Sequence, residues 1–202
     1  MKGAALYIRG MAGIPNWSPE GILPPIDAAN PTSSNRAPYR TNGSELVVRF
    51  STTTARHRIL RGLFSFRAEL REQGIGKGFQ WLNGSFMEDV EAIQDRDPGD
   101  MDIVTFFYLP EGISQAKLAH DAPPLFDRPR LRKEFSLDAY FHVLPGGPED
   151  LVDRSAYWYS VWAHQRETMA WKGFVQLDLS MPDDEAVRLL DAKKPAEAAI
   201  DG

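Results

Sequence analysis

An apolar run near the middle of the chain opens on two acids. Asp100-Met101-Asp102-Ile103-Val104-Thr105-Phe106-Phe107 has the β-branched and aromatic content of a core strand, yet it begins with charge. Side chains alternate along a pleated backbone, so Asp100 and Asp102 point to the same face. A carboxylate at the head of a buried strand costs free energy unless it is paired, binds a cation or reaches water. Two readings fit. The pair holds a divalent cation, or Pro98-Gly99-Asp100 is a turn and Asp102 lies at the strand's wet end. Taken alone the two residues favour the turn, because D-x-D is a common pattern.

The residues ahead of the run shift that balance. Phe79 to Leu82 reads as another buried strand, Asn83-Gly84-Ser85 as a tight turn, and the segment after it as a short amphipathic helix followed by a loop over 93–99. Backbone N–H groups at such a turn, with the Ser85 hydroxyl, can meet an anion. An anion cradle beside an acid pair suited to a cation is the apparatus of phosphoryl or nucleotidyl transfer.

The rest of the chain predicts an α+β fold, a mixed β-sheet of about four strands flanked by helices. From Thr53 to Gln73 the residues Ile59, Leu60, Leu63, Phe64 and Leu70 recur at helical spacing, with Thr52 or Thr53 as N-cap and Gly74 closing the end. Arg56, Arg58, Arg61, Arg67 and Arg71 fall largely off that stripe, as phosphate contacts or, the better reading, as a solvated face with Glu69 and Glu72. Gly74-Ile75-Gly76-Lys77-Gly78 lacks the ending of a phosphate loop and precedes a strand, so it reads as a connection. Ser44 to Phe50 fits a short helix capped by Ser44 or a strand. A short helix around Ser114 to His120 and an irregular Pro-rich stretch, DAPPLFDRPRLRK, lead to a third strand, Leu137 to Leu144, whose Asp138, Tyr140 and His142 share one face. His142 on that face fits a phosphate contact, a support for the carboxylate or a satisfied core histidine. Glu149 to Gln165 reads as a helix whose aromatic face packs in the core or stacks a base. Trp171 to Ser180 reads as the fourth strand and Pro182 to Lys193 as a last helix.

One domain over 45–193 follows from 202 residues. Residues 1–44 carry Pro15, Pro19, Pro24, Pro25, Pro31 and Pro38, spaced too closely for regular elements. They form an N-terminal arm, packed through Trp17, Ile22, Leu23 and Tyr39 or partly disordered. Residues 194–202 are expected to fray. Hydrophobic content of 43% and charged content of 25% are those of a globular protein. There are no cysteines, which excludes disulfides and thiolate chemistry, so any metal is held by oxygen or histidine. His57, His120, His142 and His164 show no ligand spacing, and no zinc is expected. The net charge of −5 argues against general nucleic-acid binding. MKGAALYIRGMAG is too short for a secretory segment and nothing reaches membrane-spanning length, so a cytoplasmic protein without membrane contact is expected.

The order hydrophobic strand, Gly-Ser, helix, then Asp100-x-Asp102 in an apolar frame resembles the DNA polymerase beta-like nucleotidyltransferase superfamily, with Gly99 standing where that pattern has a hydrophobic residue. More narrowly, WLNGSFMEDVEAIQDRDPGDMDIVTFF, together with IPNWSPEGILPP, the 52–74 helix and YWYSVWAHQRETMAWKGFVQLDL, is similar to a group of small stand-alone bacterial members. That segment begins near Ile14, which makes Met11 as plausible a start as Met1. The resemblance implies a nucleotidyltransferase-like fold, an NTP as substrate, and magnesium or manganese as cofactor. It implies that Asp100 and Asp102 bridge two ions, that Asp138 on a neighbouring strand ligates one and helps deprotonate the acceptor, and that Gly84 and Ser85 receive the triphosphate. Lys172, with Arg166 second, is the cation available to stabilise departing pyrophosphate. The acceptor is a hydroxyl of a protein, an RNA or a small molecule, and a toxin–antitoxin or phage-defence setting with an operon partner is implied. The chain has little room for the helical domain that grips base and acceptor in many relatives. The alternative is a non-catalytic module of the same fold that binds a nucleotide or a partner protein.

Overall fold

The computed structural model of the protein describes residues 13–193. The choice between Met1 and Met11 and the fraying of 194–202 lie outside the described residues. Five strands, β1 (Tyr39–Thr41), β2 (Gly78–Asn83), β3 (Met101–Tyr108), β4 (Leu137–Leu144) and β5 (Val175–Asp178), form one sheet in the order β1-β5-β2-β3-β4. β2 runs antiparallel to β3 and β5, whereas β3 pairs parallel with β4 and β1 parallel with β5. The fold is α+β, a mixed sheet with helices on its faces.

The strand beyond the expected four is β1, inside the stretch whose prolines argued against regular structure. Pro38 stands just ahead of it, where a missing N–H does no harm, and Tyr39 N–H donates to Phe174 C=O at 2.9 Å. β5 is shorter than expected. Lys172 N–H and Gly173 N–H donate to Ala163 and Leu23 carbonyls, so those residues leave the ladder.

Seven α-helices occur among the described residues: α1 (Gly43–Phe50), α2 (Thr54–Glu72), α3 (Val90–Gln94), α4 (Gln115–Asp121), α5 (Arg128–Phe135), α6 (Pro148–Trp162) and α7 (Asp184–Ala192). None is long and apolar enough to cross a membrane. Asn42, not Ser44, caps α1, accepting from Glu45 N–H. Thr53 caps α2 by accepting from Arg56 N–H. α5 replaces the irregular stretch read from its prolines. Asp127 caps it, and Pro129 falls in the first turn, where the helix needs no N–H.

The sheet lies between two layers. On one face α2 and α5 pack together, with Phe66 against Phe141 of β4. On the other, α6 sets Trp158 against Tyr140 and Trp162 against Phe174. On α2, Arg58 and Arg61 are solvated as expected, but the reading fails for two other arginines. Arg56 and Arg67 are fully buried. Arg67 donates to Asp183, Gln80 and the Asp178 carbonyl, while Arg56 donates to Glu91 and to the Phe86 and Glu88 carbonyls. A guanidinium can be buried when its donors all find acceptors, and pattern reading cannot see those acceptors because they come from distant sequence.

Candidate functional site

Three adjacent strands end their shared face on polar side chains. The register sets Asn83 of β2 opposite Asp102 of β3, and Asp102 opposite Asp138 of β4. Asn83, Asp102 and Asp138 therefore form a row across the sheet, on the face that α6 covers. Asp100 comes immediately before β3 and not within it, correcting its placement on the strand, and it joins the same cluster. A cavity of about 640 Å³ opens between this row and α6 with the segment after it. Gly84, Ser85, Asp100, Asp102, Asp138 and Lys172 all line it. Its volume is that of a small-molecule site.

Gly84 is required twice over. Its φ of +83° disfavours any L side chain, and a Cβ there would stand 2.9 Å from Asp102 Oδ2. Ser85 opens a single three-residue 3-10 turn, Ser85–Met87, and the short helix expected directly after the turn forms only at Val90–Gln94. The helix is interrupted because Glu88 takes extended geometry and turns its buried carboxylate to Lys172, with Gln165 Nε2 donating to it at 2.8 Å. From beneath, Arg56 holds the turn through the Phe86 carbonyl at 2.7 Å.

Asp102 is largely buried and has no ion-pair partner among the described residues. Burial, and then the charges of Asp100 and Asp138, push its carboxyl up to about 6, with Lys172 and Arg166 opposing. Its neighbours are paired. Arg132 Nη2 stands 3.0 Å from Asp100 Oδ2 and 3.0 Å from Asp138 Oδ2, and Arg128 Nη2 donates to Asp138 Oδ1 at 2.7 Å. Among the described residues no three acids or histidines are grouped around one ion position, since these two carboxylates face the guanidinium instead. The donor chemistry nonetheless fits a hard divalent cation such as Mg2+ or Mn2+, because it is all oxygen, acidic and mutually repelling. Asn83 adds a second sign of a missing polar partner. Its Nδ2 donates to the Trp162 carbonyl at 2.9 Å, but its buried Oδ1, on the cavity wall, has no partner.

The model of a family described as "Family of unknown function (DUF6932)" matches residues 15–178. The chain belongs to that family. The DUF6932 match runs from Pro15 to the last residue of β5, so it takes in the whole row and its cavity. No curated protein and no solved structure matches the chain.

His142 shares the face of Asp138 but does not line the cavity. It accepts from Trp158 Nε1 at 2.6 Å, and burial holds it below the ordinary histidine range, so it is a satisfied packing residue. α6 divides the aromatic face: Trp158 and Trp162 are buried, while Tyr157 and Val161 are exposed at the cavity. Sequence reasoning missed Asn83, Glu88, Arg128 and Arg132. The RPRLRK run carried a signal, since Arg128 and Arg132 are spaced to share a helix face, but reading that stretch as irregular removed the helix.

Proposed function

We propose that the protein is a metal-dependent nucleotidyltransferase, with a fold of the DNA polymerase beta-like type, which moves a nucleoside monophosphate from an NTP to a hydroxyl on a protein, an RNA or a small molecule. One observation carries the reading: Asp102 and Asp138 lie opposite each other on parallel strands, beside Asp100 and the Gly84-Ser85 turn, in one cavity. Asp100, Asp102 and Asp138 would hold Mg2+ or Mn2+, which when bound neutralises triphosphate charge and acidifies the attacking hydroxyl. The chain's own groups do the rest. Gly84 lets the backbone approach the triphosphate and Ser85 donates to its oxygens. Asp138 accepts the proton of the acceptor hydroxyl. The acceptor oxygen bonds to the α-phosphorus, the bond to the bridging oxygen breaks, and pyrophosphate leaves with the electron pair. Lys172 is committed to Glu88, so it acts on the leaving group through the field it sets in the cavity.

The test incubates the purified protein with labelled ATP, GTP, CTP and UTP plus magnesium or manganese. Label transfer to the protein, RNA or lysate that Asp102→Ala abolishes supports the proposal; transfer by neither form counts against it. The arginines on Asp100 and Asp138 favour a second reading, a non-catalytic module that binds a nucleotide or an operon partner with its carboxylates permanently neutralised. Nucleotide binding without turnover, unaffected by Asp100→Ala, separates that reading from the first.

A further inference from the structure

Lys172 and Arg166 are the cations that sequence reasoning offers to the substrate, yet the cavity contains a better placed one. Arg132 lies on the cavity wall, 60% exposed, with one nitrogen shared by Asp100 and Asp138. Its helix is fixed. Leu131 is fully buried, and the Phe135 carbonyl fits against Gly62 of α2. The neighbouring Arg128 is tethered differently, over the Tyr140 ring at 4.1 Å and bonded to its hydroxyl. Arg132 has only the two carboxylates among the described residues, and exposed ion pairs of this kind are weak. Its side chain can leave while α5 stays in place. A guanidinium is also a planar fork suited to phosphate oxygens.

We propose that Arg132 occupies the cation's place in the ligand-free site and becomes a phosphate-binding residue when the cation and nucleotide arrive. The inference rests on the nucleotidyl-transfer reading and adds a specific residue to its substrate site. It requires opposite signs for two ligands. Arg132 competes with the cation for the carboxylates, but it attracts the anion that accompanies it.

Mn2+ binding, followed by electron paramagnetic resonance, is compared for the native protein, Arg132→Gln and Arg130→Gln. The last removes the same charge from the same helix, away from the carboxylates. Arg132→Gln is expected to bind Mn2+ alone at least roughly tenfold more tightly, since a unit charge about 4 Å from another changes affinity about fivefold in bulk water and more near a protein surface. With Mn2+ present, the same variant is expected to bind the non-hydrolysable α,β-methylene analogue of ATP several-fold more weakly, and Arg130→Gln to match the native protein in both. An analogue affinity that does not fall, Mn2+ affinity that does not rise, or an equal shift in Arg130→Gln overturns the inference. Mn2+ bound by the native protein and unchanged in Arg132→Gln removes this inference alone. Mn2+ and analogue bound by neither form remove the transferase reading as well.

Discussion

Asp102 is the residue at which stability and proposed activity oppose each other. Burial pushes its folded carboxyl up to about 6, against 3.8 for an ordinary aspartate, so between those values the metal-free native state binds more protons than the unfolded chain. Its contribution is therefore favourable at low pH and is lost as pH rises through about 6. Asp102→Asn removes the buried charge and is expected to stabilise the metal-free protein at neutral pH by about 1–3 kcal/mol, from a shift of about 2 units. Thermal unfolding of both forms from about pH 4 to about pH 7 checks it: the gap in Tm should widen with pH and then level off. Mg2+ should raise the Tm of the native protein and leave the variant unmoved. Gly84→Ala combines a left-handed backbone with a Cβ crowding Asp102. The expected cost is about 1–3 kcal/mol in denaturant unfolding, with loss of any label transfer. Asn83-Gly84-Ser85 was legible as a turn because glycine is so restricted a choice there. That Asn83 faces the acids was not, because only the β2–β3 register decides it.

At the scale of elements the site depends on α2 and α5, neither of which supplies a predicted ligand. Gly62 of α2 leaves no space for a side chain, since a Cβ would fall 1.9 Å from the Phe135 carbonyl. Gly62→Ala is expected to push α5 outward and carry Arg128 and Arg132 from the carboxylates; because backbone must shift, it should lower Tm although alanine is the better helix former. Arg56 is the other link, a buried cation that ties α2 to the turn carrying Ser85. Arg56→Met strands Glu91 and two carbonyls and is expected to cost about 3–5 kcal/mol by urea unfolding. α2 was legible from its periodicity, and β3 and β4 from theirs. α5 was obscured because proline argues against a helix everywhere except its first turn, and which turn that is depends on the Asp127 cap.

Across the whole molecule, residues far apart in sequence close the structure behind the site. Trp17 Nε1 donates to the Met87 carbonyl at 2.8 Å, the Arg49 guanidinium lies 4.0 Å over the Trp17 ring, and Leu23 is fully buried. Leu23→Ala is therefore expected to destabilise as a core truncation does, by about 2–5 kcal/mol in the same urea assay. Chain order alone determined the α+β class, the apolar strands, the placement of acids at the head of β3 and on one face of β4, and the glycine turn between strands. Those features follow from local rules, in which alternation, helical spacing and backbone restriction act over a few residues. Only the tertiary structure decided that Asn83, Asp102 and Asp138 stand in register, that Arg56 and Arg67 are buried, and that Arg132 rests between two carboxylates. The physical reason is that pairing register and ion-pair partners are set by contacts between segments tens of residues apart, and no local pattern records which charges those contacts bring together.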